Sequence, residues 1–236
     1  MRILAIDTAT ENCSAALLLD ERVLQREQLL ERGHAEAILP MVEELLTEAG
    51  VRLSMLSAIA FGRGPGAFTG VRLAASVTQG LAFGASLKVV PVSDLQALAQ
   101  RALDTAGASE RVLVCTDARM HEVYWGCFER TADGLARASG EEHVTRPAEV
   151  KIPPAWRAPP GAAPGPLVGV GSGFAAYPRL AEQLELDIVL EGLLPRAVEI
   201  ARLAAAEVDA GRIFEPEQAL PVYLRDDVTH VPPRAS

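Results

Sequence analysis

"MRILAIDTATENCSAALLLDERVLQREQLL", Met1 to Leu30, decides how the first half of the chain is built. Ile3 to Ile6 is an apolar run too short for a helix, and Asp7 ends it. Cys13 to Leu19 and Val23 to Leu29 are two more strand-like runs, joined by the tight polar turn Asp20-Glu21. The stretch therefore reads as a strand followed by a hairpin. Beyond it, Ile38, Met41, Val42, Leu45, Leu46 and Ala49 fall at helical spacing between His34 and Ala49, and Gly50 provides a stop. Pro40 predicts that this helix is bent or starts late. A buried strand (Ser57 to Phe61), a glycine loop with an apolar helix, a strand (Lys88 to Val92) and a helix from Ser93 to Leu103 complete a βββαβαβα order.

The second half repeats this order in a degraded form. A strand from Arg111 to Thr116, a turn at Asp117-Ala118-Arg119, an alternating strand from Glu122 to Phe128 and a weaker one within Leu135 to Val144 are expected. The proline-rich stretch from Pro153 to Pro166 reads as an exposed loop. Strand Leu167 to Val170, helix Phe174 to Leu184, strand Asp187 to Leu190 and helix Arg196 to Ala210 follow. Two halves of βββαβα pattern predict an α/β, actin-like (ASKHA, ribonuclease-H-like) fold of two lobes. Their expected spans are 1–103 and 104–236, with the helix near 195–210 a candidate to fold back on the first lobe.

Composition narrows the function. The 236 residues are 49% hydrophobic, enough for a sizeable core without staples. A net charge of -9 repels a polyanion, so any RNA is expected to be gripped by a partner. Three cysteines without a Cys-x-x-Cys give neither a disulfide framework nor a zinc site and point to a reducing, cytoplasmic setting. The opening MRILAID is too short an apolar run for a signal peptide, and no run approaches the roughly 18 residues of a membrane span.

The glycine loop poses the main chemical question. "FGRGPGAFTGVRLAASVTQGLAFG", Phe61 to Gly84, lies after a strand and before a helix, with Thr69 as the expected N-cap, where free amides would meet an anion. A Walker loop would end in Gly-Lys-Ser/Thr, whereas Gly70-Val71-Arg72 stands here, so that reading fails. Gly62-x-Gly64-x-x-Ala67 meets only the loosest dinucleotide pattern, and Pro65 interrupts it. The helix behind the loop is built from Gly70, Ala74, Ala75, Ser76, Gly80, Ala82 and Gly84, with only Arg72 and Gln79 strongly polar. It has no solvated face of normal width and must be covered on both sides, by its own sheet and by either a neighbouring helix or a second protein.

Asp7 and Asp117 close the first strands of the two halves, so an actin-like fold would set both carboxylates across the cleft between lobes. With Thr8, Thr10 and the strand-to-helix turn Gly171-Ser172-Gly173 they form the candidate cleft for a weakly held ATP or ADP. The alternative is that Asp7 and Asp117 cap turns, because Ala9 and Arg119 stand where phosphate loops need glycine. His34, His121, His143 and His230 are scattered and offer no metal site, and no Gly-x-Ser-x-Gly elbow is present.

"MRILAIDTATENCSAALL", "GHAEAILPMVEELL", "AFGRGPGAFTGVRLAASVTQGLAFG", "CTDARMHEVYWGCF" and "PVYLRDD" together resemble the bacterial TsaB (YeaZ) family over nearly the whole chain. The resemblance implies a non-catalytic, cytoplasmic companion of the paralogous TsaD, which transfers threonylcarbamoyl to an adenosine of tRNA, with the small ATPase TsaE docking on the pair. It implies that Gly64, Pro65, Gly66, Thr69, Arg72, Ala75, Ser76 and Gln79 belong to the partner interface, and that the chain forms a homodimer when alone. TsaD looks like Val-Asn-His-x-x-x-His-Leu where this chain has Val92-Ser93-Asp94-Leu95-Gln96-Ala97-Leu98-Ala99. Asp94 and Leu98 take the histidine places, so a TsaD-type metal centre, and with it a metallopeptidase reading, lacks its ligands. The rival expectation is an actin-like ATPase or phosphotransferase using Asp7 and Asp117.

Overall fold

The computed structural model describes residues 1–107, 109–157 and 165–225. Strands β1 (Arg2–Asp7), β2 (Asn12–Leu19) and β3 (Arg22–Leu29) form an antiparallel meander, and β4 (Ala58–Gly62) and β5 (Lys88–Val92) add in parallel to give the order β3-β2-β1-β4-β5. Helices α1 (His34–Ala49) and α2 (Phe68–Ala85) are the crossovers that parallel strands require. Pro40 sits inside α1, which nonetheless begins at His34 and ends on Gly50 in the left-handed region.

The second sheet repeats the plan. Strands β6 (Arg111–Arg119), β7 (Glu122–Arg130), β8 (Ala136–Ala138), β10 (Leu167–Val170) and β11 (Ile188–Leu190) take the order β11-β10-β6-β7-β8, and β9 (His143–Thr145) also pairs with β7. Numbered within its own half, this is the order of the first sheet. The fold is actin-like and two-lobed. The remaining helices are α3 (Asp94–Ala106), α4 (Ser172–Ala176), α5 (Leu180–Gln183) and α6 (Ala197–Asp209).

Three local expectations change. The third strand of the second half is split, because Gly140 at φ 123° turns the chain between β8 and β9 so that each pairs with a different part of β7. The helix expected from Phe174 to Leu184 is two short ones; Pro178 lacks an N–H and holds Tyr177 extended at φ -132°. Finally, β6 runs through Asp117 to Arg119 with a register shift there, and the turn proper is Met120-His121. The loop expected from 153 to 166 contains a 3₁₀ turn at Pro154–Trp156, and its residues 158–164 lie outside the described residues.

Each sheet is buried on both faces, which explains the continuous apolar runs of β1 and β4. Leu4, Ile6, Leu17, Ile59 and Phe61 face α1 and α2. On the other face Ile3, Ala5, Ala16, Ala58 and Ala60 meet Ala197, Ile200, Ala201 and Ala204 of α6, and small residues on both surfaces let helix and sheet approach closely. Helix α3 packs on the second sheet, through Leu95, Leu98, Ala99 and Leu103 against Val112, Val114, Val168 and Val170. So α6, from the end of the chain, lies on the first sheet and α3 lies on the second. Together they seat the two sheets around a shared cleft. Among the described residues no helix is long and apolar enough to cross a membrane.

Candidate functional site

The glycine loop joins β4 to α2 and closes on the chain's own β1–β2 turn. A Cβ at Gly70 would lie 2.0 Å from the Thr8 carbonyl oxygen, and one at Gly66 would lie 2.6 Å from that of Ala9. The contact is reinforced by hydrogen bonds from the Ala67 N–H to Ala9 O (2.8 Å) and from the Thr8 hydroxyl to Gly70 O (2.7 Å). These glycines therefore serve close backbone approach to Thr8 and Ala9 within the chain. Helix α2 begins after Ala67, which makes no side-chain cap; Thr69 stands inside the first turn instead of capping it.

Beneath the loop lies a buried pair of acids. Asp7 is 0% and Asp94 2% exposed. The Ala9 N–H donates to Asp7 Oδ1 (2.8 Å) and the Gly64 N–H to Asp94 Oδ2. No N–H or hydroxyl among the described residues reaches Asp7 Oδ2 or Asp94 Oδ1, and both carboxyls crowd Gly62, where a Cβ would lie 2.9 Å from Asp7 Oδ1 and 2.4 Å from Asp94 Oδ1. Two buried carboxylates side by side disfavour the doubly ionised state, which favours a proton shared within the pair. Burial raises Asp7 to about 6. Asp94 is pushed well above the usual carboxylate range by burial first and by the Asp7 charge second. Asp94 is thus committed to Asp7 and to the loop, while Leu98, one turn on, sits in the core on the second sheet. Among the described residues no three His, Cys, Asp or Glu gather in a way that would hold a metal ion.

Between the sheets opens a cleft of about 1060 Å³. Of the residues singled out for a nucleotide, Thr10, Asp117 and Ser172 line it, whereas Asp7 and Thr8 are buried behind its wall. Asp7 and Asp117 each accept the N–H two residues on, from Ala9 and from Arg119 (3.0 Å), so both make the local turn bond that fits a cap. Gly171 and Gly173 are accounted for without a ligand: a Cβ on either would come within 2.3 and 2.9 Å of Cys115 O. Cys13, Cys115 and Cys127 are buried and unbridged, and burial pushes their thiols up to about 11, 12 and 12. His34 Nε2 donates to Thr10 O (2.9 Å), His143 stacks on Trp125, and His121 sits in the β6–β7 turn; His230 lies outside the described residues.

The outer face of α2 is different. Thr69, Ser76, Gly80, Phe83 and Gly84 are exposed and share a helical stripe with half-buried Leu73. Among the residues expected at an interface, Gly64, Pro65 and Ala75 are buried; Gly66, Arg72 and Gln79 are partly covered, Gln79 by donating to Pro216 O (3.2 Å). Phe68 and Phe83, 61% and 64% exposed, were not singled out by the sequence reading. Gly80 and Gly84 have nothing within 4 Å of where a Cβ would stand. Each costs a helix about 1 kcal/mol relative to alanine, and among the described residues no contact requires either.

Comparison with known proteins gives the family. The TsaD family, described as tRNA N6-adenosine threonylcarbamoyltransferase, matches residues 27–155, the span that holds α2 and the Asp94 turn. Over 231 residues the chain is 43% identical to the tRNA threonylcarbamoyladenosine biosynthesis protein TsaB of Escherichia coli, covering 97% of this chain and 96% of that one. The chain belongs to the TsaB family. A second TsaB, from Haemophilus influenzae, is 39% identical across 97% of this chain and 95% of its own. The solved structure of YeaZ from Pseudomonas aeruginosa superposes with a TM-score of 0.84 at 46% identity, covering 94% of this chain and 99% of that one. Asp94 holds Asp7 and the glycine loop from the far side of the first sheet's end, a role the sequence reading did not give it. Spacing alone could not reveal that pair, because the partners are 87 residues apart.

Proposed function

We infer that this chain is the non-catalytic, activating scaffold of the complex that transfers a threonylcarbamoyl group to N6 of the adenosine next to the anticodon, in tRNAs reading codons that begin with A. A TsaD-type paralogue covers the outer face of α2, and the ATPase TsaE joins the pair. The complex works in the cytoplasm, and tRNA is held through the partners, since a chain of net charge -9 repels it. Without its paralogue the chain covers the same face with a second copy of itself.

The observation that carries this reading is the exposed stripe with Gly80 and Gly84 open to solvent. Small residues let another helix come close, and the helix cost of two glycines is offset only by contacts outside the chain. The name shared by the full-length relatives supports the pathway. Light scattering of the chain mixed with its TsaD paralogue tests the claim: a heterodimer is expected. Gly80→Trp, which has room in the isolated chain, should abolish the heterodimer without lowering the chain's own melting temperature. Absence of a complex for the parent chain, or an undiminished complex for the variant, would remove the scaffold reading.

A further inference from the structure

The cleft wall nearest the start of α2 carries the guanidinium of Arg72. Arg72 lies with its Cζ 3.2 Å from the centroid of the Phe68 ring and 5.0 Å from that of Tyr223, whose rings are 6.2 Å apart. Cation–π contacts of this kind fix the orientation of a guanidinium without using its N–H groups. Among the described residues no acceptor or carboxylate meets Arg72, and its Nη1 is buried without a partner. The other arginines of the cleft differ in this respect: Arg119 pairs with Asp117 at 3.2 Å and Arg225 with Glu122, although Arg225 Nε is also buried and unpaired. A buried donor left unsatisfied is costly. Both side chains, Arg72 from α2 and Arg225 from the late Tyr223-Leu224-Arg225 segment, line a cavity of about 1060 Å³.

The cavity is also lined by the apolar Val71, Leu95, Leu98, Leu193 and Leu194 and by Tyr124, while Thr10, Glu11, Thr116, Asp117 and Ser172 supply polar groups elsewhere on its wall. Ligand sites of this size combine an apolar body with a few fixed polar groups. We propose that the cleft binds a small organic anion, its carboxylate or phosphate held by Arg72 and Arg225 and its apolar or aromatic body seated on Leu95, Leu98 and Leu194. This pose sets the anion at the α2 rim, on the side chains of Arg72 and Arg225. It does not use the backbone of the β1–β2 turn, where Thr8 and Ala9 already close on the glycine loop.

Calorimetric titration of the isolated full-length chain tests this apart from any complex. The probes are AMP, a phosphate on an aromatic base, and octanoate, a carboxylate on an alkyl chain. Inorganic phosphate and octyltrimethylammonium supply, separately, the anion without the body and the body with the opposite charge. Saturable one-to-one binding of AMP or octanoate is expected, and which of them binds identifies the source of the anion. Neither control should bind comparably. Arg72→Gln should weaken binding at least tenfold, and Arg72→Lys, which keeps the charge but loses the planar fork, by less. If Arg72→Gln does not fold, Arg225→Gln and the two controls on the parent chain decide. Failure of both anions to bind, equal binding of either control, or binding untouched by the arginine variants would overturn the proposal.

Discussion

The two ends of α2 use glycine for opposite reasons. At the loop end, Gly66 and Gly70 are pressed against the backbone of Ala9 and Thr8, and no side chain fits. At the far end, Gly80 and Gly84 touch nothing. Identical residues within one segment thus report an internal contact in one place and an unfilled surface in the other. The lesson is that a glycine-rich stretch does not define a ligand cradle; what a Cβ would meet decides its meaning.

The largest test of this contrast is Gly70→Ala. Its new methyl would meet a backbone carbonyl that cannot swing aside, so a loss of about 3 kcal/mol or outright failure to fold is expected in chemical denaturation. A loss below about 1 kcal/mol would show that the loop is not closed on Thr8. Next in size comes the acid pair that anchors the same loop. Asp7 has its folded pKa raised from 3.8 to about 6, so the folded chain retains a proton that the unfolded chain has released between those values. Its contribution to stability is therefore present below pH 4 and lost as pH rises through 6, and the upward shift of Asp94 extends the loss in the same direction. Asp94→Asn replaces the shared proton with an amide donor that does not titrate. The variant should match the parent near pH 4 and exceed it at pH 8 by about 1–2 kcal/mol. Parallel curves for parent and variant in pH-dependent melting would contradict a protonated pair.

The smallest effect belongs to the open end of the helix. Gly80→Ala should stabilise the isolated chain by roughly 0.5–1 kcal/mol, because alanine is the better helix former and its methyl meets nothing. The opposite signs of Gly70→Ala and Gly80→Ala, measured by the same urea titration, are the sharpest statement of the comparison. If both destabilise, the outer face of α2 is covered within the chain.

Much of this was legible in residue order. The three opening strands, the hairpin turn, α1 with its glycine stop and the repetition of the plan in the second half all follow from local periodicity and turn residues. The misread segments are those where a single residue overrode periodicity: Pro178 breaking a helix, Gly140 dividing a strand, and the register shift at Asp117 that carried β6 past its expected turn. For the site, residue order brought Thr10, Asp117 and Ser172 to one cleft but set Asp7 there as well, although it is buried behind the wall. Phe68, Tyr223 and Arg225 gave no signal, since an aromatic near a helix start and a late Tyr-Leu-Arg are unremarkable until they meet around Arg72.

Residue order alone determined the elements, their succession and the family, because hydrophobic period, turn chemistry and motif are properties of neighbours along the chain. Tertiary structure decided what the polar groups and glycines are for. Whether a carboxylate ionises, a guanidinium finds an acceptor or a glycine is crowded depends on atoms brought together from 60 to 150 residues away. Burial and proximity set those outcomes, and neither is written in local sequence.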